Sequence, residues 1–272
     1  MPRFSANLSM LFTELPFLDR FAAAASAGFE AVEYMFPYDY TPDQLAAALR
    51  RNHLSQILFN LPAGDWARGE RGIAGHPDRV AEFRNGVRAA ATFAHALECP
   101  RVNCLVGFPP VGVAAETAHR TLVDNLRHAA EALQGDGVLL LVEPINRFDM
   151  AGFQLSGSAD ALALIDEVGS DNLKLQYDIY HMQRSEGELS STIEKNIDRI
   201  GHIQVADNPG RGEPGTGEIN FDFLFRLLDR IGYDGWVGCE YKPKNSTLEG
   251  LTWLRGRASD LRPAIRDDAR LQ

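Results

Sequence analysis

The sequence predicts an α/β fold, a single (β/α)8 (TIM) barrel, and three observations point there. Eight short runs of β-forming residues recur along the chain, each followed by a helical pattern. The 272 residues amount to 34 per repeat, about the size of one strand-plus-helix unit. No stretch rich in Gly, Ser or Pro separates two halves. Length over ~150 would suggest nearly two domains, but an α/β barrel uses roughly 250 residues as one. We therefore expect one domain over residues 1–272, with the barrel core at about 3–254 and a C-terminal tail at about 255–272.

The expected strands are residues 3–9, 31–35, 56–61, 101–106, 138–143, 173–179, 202–206 and 236–241. Parallel strands need crossover connections, so the regular alternation implies a parallel sheet. Eight units favour closure into a barrel over an open doubly wound sheet. No G-x-G-x-x-G follows the first strand, so no nucleotide cofactor is expected.

Between the strands, helices are expected at 16–27, 42–51, 77–97, 117–133, 159–168, 189–197, 221–231 and 248–254. Thr41-Pro42-Asp43-Gln44 opens one of them with an N-cap, a Pro at the first helical position and Gln at N3. Thr and Gln there can satisfy backbone N–H groups that the first turn leaves unpaired. The Ala-rich 16–27 segment stops at Gly28, a C-terminal signal.

Acids outnumber bases 37 to 27, giving a formal charge of −10. A protein that neutralises phosphates needs the opposite balance, so nucleic acid and anionic membranes are poor partners. The N-terminal apolar run, broken by Asn7, Thr13 and Glu14, does not read as a signal peptide, and no run approaches the ~18 residues of a membrane helix. Three cysteines without a CxxC fit a reducing cytosol, and the expected location is cytoplasmic. The apolar patches of barrel helices serve packing or an interface equally, which leaves a homo-oligomer open.

Two connections, 62–75 and 207–220, are long for an α/β unit and follow strands three and seven. They belong to the C-terminal face, where barrel enzymes place their chemistry. The same rim collects oxygen-bearing side chains from four consecutive units. Glu143 ends strand five, Asp178 ends strand six, Gln204 lies on strand seven and Glu240 on strand eight, at intervals of 35, 26 and 36 residues. Taken singly, each acid reads as a salt-bridge partner or a cap. Four in register read as a ligand set, because buried, mutually repelling carboxylates call for a cation. An all-oxygen set suits Mg²⁺ or Mn²⁺.

Such a cation flanked by two carboxylates suits proton transfer beside a carbonyl, one Glu removing a proton from carbon and the other returning it to the neighbouring carbon. His181 stands close enough to hydrogen-bond a substrate oxygen. Lys242, two residues after Glu240, points the same way by strand alternation and either pairs with an anionic substrate or neutralises Glu240. Arg68, Arg71 and Arg211 in the two long loops are solvated surface groups or close over a carboxylate. Glu33, Asn7, Asn60 and His202 read as structural, with Glu33 an orienting group at most and His202 a satisfied core histidine.

At these residues the sequence resembles the hydroxypyruvate isomerase family, within the xylose-isomerase-like barrels. The resemblance runs through RFSANLSMLF, AVEYMFPYDY, NLPAGDWARGERGIA, LVEPIN, LQYDIYHMQR, ADNPGRGEPGTGEIN and GWVGCEYKP, from about residue 3 to about residue 254. It implies an isomerase interconverting hydroxypyruvate and 2-hydroxy-3-oxopropanoate, a small anionic substrate. It also implies that Glu143 and Glu240 are the proton donor and acceptor, with Glu143, Asp178, Gln204 and Glu240 as the metal set. Related sugar epimerases commonly carry His where Gln204 stands. The sister 2-oxo-tetronate isomerases share the opening, the FPYxY segment and the GCEYKP ending, which makes a four-carbon substrate the alternative. A zinc nuclease on the same barrel would need clustered histidines and a basic groove. The seven scattered histidines and the charge of −10 count against it.

Overall fold

The computed structural model of the chain describes residues 2–254; the expected tail at 255–272 lies outside the described residues. Eight strands, β1 (Arg3–Asn7), β2 (Ala31–Glu33), β3 (Ser55–Asn60), β4 (Arg101–Cys104), β5 (Leu139–Val142), β6 (Leu173–Asp178), β7 (Ile200–Val205) and β8 (Trp236–Cys239), pair in chain order and close β8 onto β1, all parallel. Each strand falls within or beside an expected run. Four stop short of the expected C-terminal limit by two residues, and that shortening matters for the site.

Period-2 alternation separates two environments along each strand. On β1, Phe4 and Ala6 face outward beneath the helices, while Ser5 and Asn7 face the barrel interior. All four are buried, because crossover helices cover the outer face as completely as the strands cover the inner one. The outer layer is α1 (Arg20–Ser26), α2 (Pro42–Arg51), α3 (Val80–Leu97), α4 (Ala115–Gln134), α5 (Ser158–Val168), α6 (Ile179–Ser185), α7 (Leu189–Asn196) and α8 (Phe221–Arg230).

Local chemistry explains the boundaries. Thr41 and Gln44 form the expected capping box at α2, with both reciprocal bonds present. Asn220 caps α8 by accepting from the Phe223 backbone N–H at 3.0 Å. α8 buries Phe221, Leu224, Phe225 and Leu228, the i, i+3, i+4, i+7 stripe of a core-facing helix. Each such side chain contributes about 1.5–3 kcal/mol on burial. Phe225 meets Phe4 of β1 edge-on at 5.1 Å, tying the last helix to the first strand across the closure.

Two helical expectations need correction. The segment between β6 and β7 holds two helices, not one, because Asp178 both ends β6 and caps α6. The expected last helix begins as a 3-10 turn, Glu249–Leu251, before residues 252–254 turn helical. Among the described residues no helix is long and apolar enough to cross a membrane. Cys99, Cys104 and Cys239 are buried free thiols.

Candidate active site

Glu143 follows β5 directly, Asp178 is the last residue of β6, Gln204 is the fifth of β7, and Glu240 follows β8 directly. Parallel register sets them level: Asp178 pairs with Gln204, and Gln204 with Gly238. All are buried, Asp178 completely. Glu143, Gln204 and Glu240 open into a cavity of ≈ 130 Å³ at the C-terminal mouth of the barrel, lined also by Asn7, Glu33, Trp66, Asp149, His181 and Arg211. Three of the four expected residues therefore share one chamber, while Asp178 stands just behind its wall, 3.7 Å from His181 Nε2 and 3.4 Å from Arg211 Nη2.

Three carboxylates without solvent repel one another and resist ionisation. Burial, reinforced by Glu240 and Asp178, holds Glu143 well above the usual carboxylate range. Burial also raises Glu240, to about 7, with Arg211 pulling the other way. Asp178 is raised by burial, partly offset by Arg211 and by the backbone N–H groups of Tyr180 and His181. The Asp178 Oδ1 accepts from those amides at 2.8 and 3.4 Å, which fixes the carboxylate as the α6 N-cap.

Arg211 supplies the compensating charge. Its Nη2 donates to Glu240 Oε1 at 2.5 Å and lies 3.4 Å from Asp178 Oδ2, and the guanidinium sits 5.4 Å from the Tyr180 ring centre. Its buried Nε has no hydrogen-bond partner. The loop that delivers it hangs on Asp207, whose fully buried carboxylate accepts four backbone N–H groups, from Asn208, Gly215, Gly217 and Ile219.

Beneath Glu240 lies a polar hub. Glu33 accepts from Ser5 Oγ (2.9 Å), Asn7 Nδ2 (3.3 Å) and Gln204 Nε2 (2.8 Å), and meets His202 Nε2 at 2.9 Å. Burial would raise its carboxyl, but His202 and these hydrogen bonds hold it below the usual value. Asn7 and Gln204 also donate to Glu240 Oε2, at 3.1 and 2.5 Å. Gly238 makes the room, since a Cβ there would collide with the Glu33 carboxylate. Glu33 thus reaches further than a structural bond. His202 is only half satisfied, its Nδ1 lacking a partner.

The donor chemistry fits a divalent cation: one arginine faces three buried carboxylates whose protonation burial favours. Ligand atoms of Glu143, Asp178 and His181 lie within 4.8 Å of one another, all buried. A histidine nitrogen therefore stands beside two members of the expected all-oxygen set. The Gln204 carbonyl is engaged by Gln176 Nε2 at 2.7 Å, with its NH₂ toward the carboxylates.

The other expected cations are placed differently. Lys242 is exposed and does not line the cavity, because β8 ends at Cys239 and strand alternation does not carry to 242. Arg68 is an exposed group paired with Asp65 at 3.3 Å. Arg71 stacks 3.8 Å from the centre of Trp66 and reaches the cavity only through that ring. The sequence reading missed Asp207, Asn146 and Asp149. For the last two a signal was present, a polar Asn and Asp three and six residues after Glu143, whereas nothing local marks Asp207 as a loop anchor.

Comparison with known proteins agrees with this fold. Residues 21–257 match the family described as xylose isomerase-like TIM barrel. The chain is 59% identical over 254 residues to hydroxypyruvate isomerase of Escherichia coli (strain K12), covering 93% of this chain and 98% of that one. It is 47% identical over 255 residues to a 2-oxo-tetronate isomerase of Cupriavidus necator, covering 94% and 98%. A crystal structure described as AP endonuclease, family 2, from Brucella melitensis superposes with a TM-score of 0.91 at 43% identity, covering 94% of this chain and 99% of that one.

Proposed function

The chain belongs to the xylose isomerase-like TIM barrel family, and from that premise we propose that this isomerase interconverts hydroxypyruvate and 2-hydroxy-3-oxopropanoate. The observation that carries the reading is the pair of strand-end glutamates, Glu143 and Glu240, facing one small buried cavity with a cation, Arg211, at its wall.

The reaction moves one proton between adjacent carbons. A glutamate carboxylate takes a proton from the hydroxymethyl carbon of hydroxypyruvate, leaving an enediolate across C2 and C3. A proton is then delivered to C2, and the hydroxyl proton passes from the C3 oxygen to the C2 oxygen. Glu143 and Glu240 fill the two carbon-facing roles. A group near 7, as Glu240 is, exchanges protons readily in both directions at neutral pH. Arg211, with its free Nε–H, binds the substrate carboxylate, which answers how an anion enters a protein of charge −10. His181 donates to a substrate oxygen. A divalent cation, Mg²⁺ or Mn²⁺, would be held by Glu143, Asp178 and Glu240, with Gln204 as the neutral fourth ligand once its carbonyl turns from Gln176, and would supply Lewis-acid stabilisation of the charge developing on oxygen.

The second reading is a 2-oxo-tetronate isomerase, favoured by the 47% identity to that relative and needing the same proton chemistry. The higher identity to the hydroxypyruvate isomerase supports the three-carbon acid first. Against the nuclease name of the Brucella structure, the cavity is lined by one histidine, His181, and four acids, Glu33, Glu143, Asp149 and Glu240, a set suited to a small acid rather than to a phosphate chain. The test is a substrate panel of hydroxypyruvate and 2-oxo-tetronate with and without chelator, together with deuterium uptake at carbon. Preference for 2-oxo-tetronate by kcat/KM reverses the ranking, and absence of exchange with both refutes the isomerase reading.

A further inference from the structure

Asn146, three residues after Glu143, is fully buried and uses every bond it has. Its Oδ1 accepts from the backbone N–H groups of Phe148 (3.1 Å) and Asp149 (2.9 Å). Its Nδ2 donates one hydrogen to Asp149 Oδ2 at 3.0 Å, and the other faces His181 Nδ1 at 2.7 Å. The amide cannot be turned round. Exchange of its oxygen and nitrogen would set an NH₂ against two N–H donors and a carbonyl oxygen against a carboxylate. Asp149 is itself fixed by the Tyr180 hydroxyl at 2.8 Å and by Arg184.

The His181 Nδ1 therefore faces donors only, the Asn146 side chain and, at 3.4 Å, the Asn146 backbone N–H. An atom so placed must carry a lone pair, and in a neutral imidazole the proton then sits on Nε2. The doubly protonated ring is disfavoured on separate grounds: burial, with Arg211 and Arg184 nearby, holds His181 well below the usual histidine range. The Nε2 side looks into the cavity, 3.7 Å from Asp178 Oδ2.

We propose that Asn146 is a positioning residue that fixes His181 as the Nε2–H tautomer, so that His181 presents a hydrogen-bond donor to the substrate and is not a ligand of the divalent cation. Ligation through Nε2 would move the ring proton to Nδ1, where it would meet the two Asn146 N–H groups. The proximity of His181 to Glu143 and Asp178 then marks a donor aimed at the oxygen on which charge develops, the part a neutral imidazole plays in aldose–ketose chemistry. The substrate's share in this rests on the isomerase reading; the tautomer does not.

Nitrogen-15 spectra of histidine-labelled protein decide it, with the His181 signals assigned by their loss in His181→Gln. In the wild-type protein the expected pattern is a protonated Nε2 and an unprotonated Nδ1, and the reverse pattern overturns the proposal. Addition of Mg²⁺ is expected to leave the Nε2 proton in place, whereas its loss would make His181 a ligand and sink the idea. Both measurements are read on the native chain, the His181→Gln variant serving assignment alone. Asn146→Asp puts an acceptor opposite Nδ1 and is expected to protonate that nitrogen and lower kcat about 10–100-fold with a smaller change in KM. An unchanged tautomer in that variant removes Asn146 from its role. A chain that turns over neither acid overturns the isomerase reading, while the nitrogen signals still judge the tautomer.

Discussion

Glu33 and Glu240 share one amide: Gln204 Nε2 lies 2.8 Å from Glu33 Oε1 and 2.5 Å from Glu240 Oε2. The deeper carboxylate thereby aims a donor at the shallower one, and Asn7 repeats the arrangement. Glu33→Gln keeps the shape but weakens the acceptor for Ser5, Asn7, Gln204 and His202. We expect a loss of about 3 kcal/mol in urea unfolding, as for a charged buried acceptor with several donors. Turnover is expected to fall about 10–100-fold through misorientation of Glu240. A destabilised variant with wild-type kcat would confine Glu33 to the fold.

The titration signs within the site oppose one another. Glu143, Asp178 and Glu240 are raised in the folded chain, so native stability is fullest at low pH and is lost as these groups ionise. For Glu240 the window runs from its usual 4.5 to about 7. Glu33 is lowered, so its contribution is present above its unfolded value and lost as pH falls through the depressed one. Metal-free protein should therefore be more stable near pH 5.5 than near pH 8, with Glu240 contributing on the order of 2 kcal/mol. Mg²⁺ favours the ionised carboxylates and should raise the Tm more at pH 8 than at pH 5.5. Calorimetry in chelator and in Mg²⁺ checks both, and Glu240→Gln should flatten the slope.

The barrel and the ligand rim were legible in the sequence because both are periodic. Strand–helix alternation repeats along the whole chain, and the rim residues recur once per repeat, so Glu143, Asp178, Gln204 and Glu240 could be found by counting. What counting misses is set by where a strand stops. Lys242 was assigned by alternation, yet β8 ends at Cys239 and the side chain turns to solvent. Helix α6 went unseen because Asp178 was read only as a strand end, although its carboxylate also caps a helix. Asn146 and Asp207 act through partners that the folded loops bring to them, and no local pattern announces such contacts.

Of the four expected cations only Arg211 touches the carboxylates. Arg211→Ala should raise the KM for hydroxypyruvate about 10–100-fold, the size of a lost charge-assisted hydrogen bond of ~1.5–3 kcal/mol. Arg68→Ala and Lys242→Ala, both at exposed positions, should stay within about twofold of wild type in steady-state kinetics. Arg71→Ala is expected to fall between them, because it acts through Trp66. An Arg68 or Lys242 variant with the larger KM effect would move the carboxylate site out to the loops.

Arg211 stands where it does because Asp207 holds its loop. The Asp207 Oδ1 accepts from Asn208 (2.9 Å) and Ile219 (3.1 Å), and its Oδ2 from Gly215 and Gly217 (both 2.8 Å). The Arg211 carbonyl in turn accepts from the Lys242 backbone N–H at 2.7 Å, which clips the loop to the chain after β8. Asp207→Asn leaves one oxygen but turns an NH₂ toward two backbone donors. Each stranded buried N–H costs about 1–3 kcal/mol, and no water reaches a carboxylate this deeply buried. The loop can relieve that cost by loosening, which withdraws Arg211 from Glu240 and Asp178. The expected result is a KM raised about tenfold with a smaller change in kcat, alongside a Tm lowered by several degrees. Because neither strand nor helix depends on Asp207, far-ultraviolet circular dichroism should match wild type. A lowered Tm with unchanged KM would show that Arg211 keeps its seat without the anchor.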